Sequence, residues 1–325
     1  MTFRQCALAL ILAASGCGGA PATRIDEPAI AKDFHLIPGS FRPGRGPDGN
    51  TVVYDAPGGL VVIDTGRHPE HSKRILDYAA ARKLPINAIV NTHWHLDHTS
   101  GNTEIKAAFP KANVYATQAI VGALDGFLAE SIPQSEEMLE TSTDLAPETR
   151  ATIERDLATI KSPAALLPDI TVDTPMTIDV DGRALEINLT DHAVTEADIW
   201  IWDAATKTVI IGDLITTPAP FFDTACAEGW RAALDAVEEK PFERVVAGHG
   251  ATLDRSGYLA WRRAFDNLLS CAVAHDGAEC VSGWMTDAAQ FISEDEKDRA
   301  GRMIVYYVDN VIRSSEARER FCRAR

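Results

Sequence analysis

A layered α/β fold is predicted by three observations on this 325-residue sequence. Short apolar runs bounded by Gly, Pro and Asp alternate with stretches of helical period. Four of those runs lead directly into a His or an Asp. No internal repeat or low-complexity boundary divides the chain, so about 300 residues beyond the N-terminus form one large domain.

In chain order the first element is a targeting segment, outside the fold. Arg4 is a short positive region, and 7–14 is an apolar core with Leu8, Leu10, Ile11 and Leu12. That core is too short for a bilayer span of about 20 residues. It ends at Ala14-Ser15-Gly16-Cys17, which resembles a bacterial lipoprotein processing site. The expectation is a signal at 1–16, lipid on Cys17, and a Gly-, Ala- and Pro-rich tether over 17–33. The protein would then be exported to the periplasm and membrane-anchored, with Gly18 and Gly19 suiting the outer membrane. Ordinary secretion with cleavage near Ala20 is the alternative.

Strands are expected at 34–37, 51–55 and 60–64, with the Gly- and Pro-rich 42–49 as a loop. A helix over 69–83 starts with Pro69 and spaces Ile75, Tyr78, Ala79 and Arg82 helically. His68 and His71 at its start are expected to be exposed. Strands at 86–90 and 114–116 precede a polar helical insertion at 118–161. Its stripes are Ile120, Val121, Leu124, Phe127 and Leu128, then Ile153, Leu157 and Ile160. It is expected to lean over the functional site. Strands return at 170–172, 176–180, 184–189, 199–202, 208–211 and 242–247, with a helix over 230–239. Phe221 and Phe222 are candidates for a pocket wall or for core. A helical extension over 255–325 carries Tyr258, Trp261, Phe265, Leu268 and Leu269 on one face.

The chemistry is concentrated in His93-Trp94-His95-Leu96-Asp97-His98. A helix would scatter these donors, and a strand would turn His98 away from the others. A loop closing the strand at 86–90 can aim all four at one volume. Imidazoles with one hard carboxylate suit zinc. His192, Asp213 and His249 follow the apolar runs 185–189, 209–212 and 244–248. Four strands thus deliver donors at their C-terminal ends, converging on one edge of a sheet. Trp94 and Leu96 are expected to pack under the loop.

This pattern resembles the metallo-β-lactamase superfamily, whose H-x-H-x-D-H loop is followed by His, Asp or Cys, and His. The likeness covers about 34–253, and Asp64-Thr65-Gly66 matches the family's D-T-G strand end. It implies a four-layer αββα sandwich with a dinuclear metal site at one edge. It also implies that His93, His95 and His192 hold one zinc, that Asp97, His98 and His249 hold the other, and that Asp213 bridges them. One departure stands out. Thr195-Glu196-Ala197-Asp198 matches the family's T-x-G-D, which puts the family's His slot on Val194 and His192 two residues early. An offset of two keeps strand parity, so His192 is expected to face the site. Asp64 is expected to fix a ligating imidazole from behind.

The implied reaction is hydrolysis of a carbonyl compound (β-lactam, lactone, ester or thioester) by a hydroxide shared between two zinc ions. Zinc lowers the pKa of bound water from about 15.7 to about 7. Asp97 would orient the hydroxide or carry a proton to the leaving group. Alternatives are a glyoxalase II-like thioesterase or lactonase without β-lactamase activity, a di-iron redox enzyme, and a metal-binding lipoprotein with little catalysis. A net charge of −16 argues against nucleic acid and against adhesion to anionic membranes. The expected partner is a small carbonyl substrate, with membrane contact only through Cys17. Four cysteines remain after the leader and its lipid site. Cys271 and Cys280 lie close across a turn, which leaves Cys226 with Cys322. His275, between the first pair, reads as a surface residue.

Overall fold

The computed structural model describes residues 34–56, 58–180 and 183–322; the expected leader, Cys17 and tether lie outside them. Strand alternation decides the layers. In β1 (Phe34–Ile37), β2 (Thr51–Ala56) and β3 (Gly59–Ile63) nearly every residue is buried, yet odd and even positions enter different cores. Val52, Tyr54, Val61 and Ile63 face a second sheet, whereas Val53, Leu60 and Val62 face helices. With β4 (Ile86–Val90), β5 (Asn113–Ala116) and β6 (Ile170–Thr171) they form a six-stranded sheet in sequential order. The β1–β2 and β2–β3 pairs are antiparallel and the rest parallel.

The second sheet is also sequential: β7 (Met176–Val180), β8 (Arg183–Asp191), β9 (Ala197–Asp203), β10 (Thr208–Ile210), β11 (Arg244–Val246) and β12 (Leu253–Asp254). Its β10–β11 pair alone is parallel. Ile178, Leu185, Ile187, Ile199, Ile201, Ile210 and Val246 meet the first sheet in a shared apolar layer.

Helices clothe both outer faces. On the first sheet α1 (Pro69–Arg82) and α2 (Asn102–Ala108) bury Ile75, Ala79 and Ile105. The insertion forms α3 (Ala119–Asp125), α4 (Phe127–Thr141) and α5 (Pro147–Lys161). It is broken at Gly126, whose ψ of −105° no helix holds, and restarts at Pro147. Ile120, Leu128 and Ile160 bury Trp94 and Leu96, so the insertion packs on the His-rich loop. Val121 points away and is exposed.

On the second sheet lie α6 (Ala227–Glu238), α7 (Arg255–Ala274), α8 (Gly277–Asp287) and α9 (Lys297–Tyr307), followed by α10 (Ser315–Phe321). Their core is aromatic: Phe222, Trp230, Trp261, Phe265 and Tyr258 are fully buried with Trp200 and Trp202 of β9. Disulfides join Cys226 to Cys322 and Cys271 to Cys280, the latter across the α7–α8 turn, where His275 is exposed.

The expectation for His68 and His71 is overturned. Both are about 3% exposed. The loop before β2 folds over the start of α1, where His68 Nδ1 meets Asp48 Oδ2 at 3.0 Å and His71 Nε2 meets Thr51 Oγ1 at 2.7 Å.

Candidate metal centre

The His-rich loop is held from behind by one carboxylate. Asp64 closes β3 with φ at +57°, a conformation that turns its side chain toward the loop after β4. Its Oδ1 accepts the Thr92 backbone N–H and its Oδ2 the Thr92 hydroxyl, each at 2.8 Å. His98 Nδ1 also reaches Oδ2 at 2.8 Å, so the proton sits on Nδ1 and the lone pair on Nε2. Thr92 Oγ1, having donated to Asp64, accepts from His93 Nδ1 at 2.9 Å. That leaves His93 Nε2 with a lone pair, buried and without a hydrogen-bond partner among the described residues. Asp64 therefore sets two imidazoles at once, one directly and one through Thr92.

His95 is set from elsewhere. Thr224 Oγ1 donates to the Val194 carbonyl at 2.9 Å and so accepts from His95 Nε2 at 2.8 Å, leaving the Nδ1 lone pair.

Asp213 and His249 arrive from the second sheet, after its adjacent parallel strands β10 and β11. The donors therefore converge between facing ends of two sheets, and not on one sheet edge as the strand pattern implied. Asn50 fastens the two halves. Its side-chain N–H groups donate to the carbonyls of Ala247 and Gly250, both at 2.9 Å, and its backbone N–H to Gly248 O at 2.7 Å. Glycine is required on both sides of the cluster. A Cβ on Gly248 would stand 2.0 Å from Asp213 Oδ1, and one on Gly49 would stand 2.4 Å from the His98 ring.

Donor atoms from both sheets form two triads that share His98, one with His93 and Asp213 and one with Asp97 and His249. His98 Nε2 lies 3.0 Å from Asp213 Oδ1, 3.2 Å from His249 Nε2 and 3.8 Å from Asp97 Oδ2. His249 Nε2 lies 3.0 Å from Asp97 Oδ2 and 3.4 Å from Asp213 Oδ1. Tetrahedral ligands about 2.0–2.1 Å from a zinc would stand roughly 3.3 Å apart. His93 Nε2 faces the other Asp213 oxygen at 3.8 Å, and the His95 ring stacks edge-on to His93 at 4.5 Å.

The electrostatics call for a cation. Burial pushes Asp97 up, but His98, His249 and Arg67 outweigh it and hold the carboxyl well below its usual range. Asp213 is likewise held low against its burial by His249 and His98. Burial favours neutral His98, yet Asp213, Asp64 and Asp97 raise its pKa well above the ordinary value, so without a metal a second proton on Nε2 stands where a cation would. Burial, with His98 and His95 beside it, keeps His93 neutral and available as a donor. Three buried carboxylates around imidazoles with inward lone pairs fit a divalent metal.

His192 is not part of this cluster. It leaves β8 with φ at +51°, outside strand geometry, so the parity expected from its offset does not apply. Its N–H closes a tight turn onto Glu196 O, and its Nδ1 donates to the Phe321 carbonyl of α10 at 3.0 Å. Asp198 fixes the turn by accepting from the backbone N–H groups of Val194 and Thr195. Buried there, Asp198 is pushed up to about 7.

Of the two phenylalanines expected as wall or core, one lies beside the cluster and the other does not. Phe221 stands edge-on to His249 at 5.4 Å, while Phe222 lies in the core. Arg67, next after the D-T-G run, is 19% exposed; among the described residues its Nε lacks a hydrogen-bond partner and lies 3.7 Å from the Asp156 carboxylate. Asp97 is among the charges that raise its pKa against burial. Arg67 and Thr224 sit beside residues already singled out, but neither residue type signals its role locally.

The chain matches the family model described as the metallo-beta-lactamase superfamily over residues 44–249, more than half its length. Among curated proteins it is 26% identical over 241 residues to an (R)-specific secondary-alkylsulfatase from Pseudomonas, covering 66% of this chain and 35% of that one. It is 39% identical over 62 residues to a hydroxyacylglutathione hydrolase from Synechococcus, 19% of this chain and 25% of that one. The chain spans no more than about a third of the length of the curated relatives it matches. Among solved structures, a metallo-beta-lactamase family protein from Thermus thermophilus superposes with a TM-score of 0.58 at 14% identity, over 85% of this chain and 93% of that one. The fold, the donor cluster and the extent of the family match agree: this chain belongs to the metallo-beta-lactamase superfamily, a family of metal-dependent hydrolases.

Proposed function

We propose that the protein holds two metal ions, zinc by the chemistry of its donors, and hydrolyses a β-lactam, lactone, ester or thioester. The observation that carries this reading is the meeting of His98 Nε2 with Asp213, His249 and Asp97 at 3.0, 3.2 and 3.8 Å. Bound zinc supplies Lewis acidity and a coordinated water of pKa about 7. The chain supplies the rest. Asp64 and Thr92 hold His98 and His93 in the donating tautomer. Asp97 orients the attacking water or passes a proton to the leaving group. Phe221 gives the substrate an apolar wall, and Arg67 gives it a cationic pole.

Arg67 and the alkylsulfatase likeness favour a second reading, a sulfate ester as substrate, since an arginine fork pairs well with a tetrahedral anion. One panel separates these readings: a chromogenic β-lactam, a lactone, an acyl thioester and a secondary-alkyl sulfate. At least one should turn over, and His249→Ala should lower that turnover at least 100-fold. Arg67→Ala should raise KM for an anionic substrate alone. Turnover indifferent to both a chelator and His249→Ala would sink the proposal. Export and a lipid on Cys17 complete the proposal, and the two disulfides support an oxidising compartment.

A further inference from the structure

The segment between Asp213 and α6 runs along the metal centre and carries one carboxyl that takes no part in the donor cluster. Phe221 stands edge-on to the His249 ring at 5.4 Å, and Thr224 holds His95 Nε2 at 2.8 Å. Asp223 lies between them, so the residues flanking it touch imidazoles from both halves of the molecule. Phe222 turns into the aromatic core, whereas Asp223 keeps part of its surface open to solvent. Tyr307, the last residue of α9, donates its hydroxyl to Asp223 Oδ2 at 3.0 Å. That bond occupies one oxygen; Oδ1 has no hydrogen-bond partner among the described residues. The pair also senses the donor cluster, for the charge of Asp97 bears on Asp223 and that of Asp213 bears on Tyr307. The groups that face the carboxyl are thus Tyr307 of α9 and Asp97 of the His-rich loop. Burial is the larger influence, and with Asp97 it outweighs the Tyr307 hydrogen bond, so the carboxyl is pushed up to about 6. A group that exchanges its proton near neutral pH suits general acid catalysis.

We propose that Asp223 is the proton donor to the leaving group, with Tyr307 as its positioning residue, and that the substrate is an alkyl ester or lactone, whose alkoxide leaves with a proton, and not a thioester. The inference rests on the metal-centre reading and names a substrate class within it. As the oxygen of the attacking water bonds to the carbonyl carbon, the bond from that carbon to the ester oxygen breaks. Its electron pair takes the Asp223 proton, and an alcohol leaves. Asp223, now a carboxylate held by the Tyr307 O–H, regains a proton from solvent, which has received the one the water lost. Asp97 is left to orient the water.

The test uses the zinc-loaded full chain and two esters of one acid, ethyl butyrate and 4-nitrophenyl butyrate, the second of which releases a weakly basic phenolate. Asp223→Asn should lower kcat about 100-fold on ethyl butyrate and less than about tenfold on the nitrophenyl ester, a split that a fold defect does not produce. Native kcat on ethyl butyrate should fall as pH rises above about 6. Tyr307→Phe removes a hydrogen bond that favours the carboxylate, so this limb should move to higher pH. Infrared difference spectra over the same pH range give a readout free of turnover: a protonated-carboxyl signal of the native chain should be missing from Asp223→Asn and should titrate at higher pH in Tyr307→Phe. If Asp223→Asn does not fold, the Tyr307→Phe shifts decide. Equal losses on the two esters, hydrolysis of neither, an unmoved limb in Tyr307→Phe, or infrared spectra unchanged in Asp223→Asn would overturn the inference. Absence of bound zinc, or turnover indifferent to a chelator, would instead fell the metal-centre reading.

Discussion

At the scale of single residues, Asp64 and Thr92 act as one device. Thr92 passes the effect of Asp64 to His93 through two hydrogen bonds of 2.8 and 2.9 Å. Thr92→Val is nearly isosteric but frees the His93 ring to rotate and change tautomer. A loss of about 10- to 100-fold in zinc affinity is expected, measured by chelator competition, with thermal stability little altered. Gly248→Ala should be worse for a steric reason, since its methyl would overlap Asp213 Oδ1. Folded but metal-free protein is the expected outcome, read by circular dichroism and metal analysis. His71 provides a pH signature. Burial lowers its pKa from 6.5 to about 4, so the unfolded chain binds a proton that the fold refuses. The stability this represents is complete above pH 6.5 and is lost as pH falls toward 4, by about 3 kcal/mol at most. Denaturant titrations in chelator should show that slope in the native chain and a flatter one in His71→Gln. Six of the seven candidate donors come together, and they were legible as one His- and Asp-rich hexad plus Asp213 and His249, each closing an apolar run. Thr224 and Asn50 were not, since their partners lie 129 and 197 residues away and nothing local marks them.

At the scale of elements, the turn between β8 and β9 is where sequence reasoning went astray. Strand parity placed His192 toward the site, but a single left-handed residue ended the strand there. Motif alignment had already put the family's histidine slot at Val194. Most other strands were legible to within two residues, because they are short, almost wholly buried apolar runs between turn residues; β12 was not foreseen. The insertion was legible as helical but not as three helices, since its breaks depend on one Gly and one Pro among good helix formers. The Cys226–Cys322 bond closes 96 residues and pins α10 to the start of α6. In the chain-entropy picture such a loop contributes about 4–5 kcal/mol. Cys226→Ser with Cys322→Ser should therefore lower the urea midpoint clearly, while zinc retention stays near the native count because His192 is not a donor.

At the scale of the whole molecule, the four-layer order was legible only through the family likeness; apolar runs alone do not say how two sheets face each other. The apolar layer between the sheets supplies the cohesion, and the metal centre lies beyond its end, where polar loops from both sheets meet. Asn50 is the peg at that junction, bonding twice through its side chain to the opposite half. Docking of the halves and capture of the ion are consequently one equilibrium. Free zinc should raise the melting temperature progressively, and Asn50→Ala should weaken zinc capture although Asn50 is not itself a donor. A polypeptide that has yet to bring residue 249 alongside residue 98 has no cage to fill, so loading follows completion of the fold.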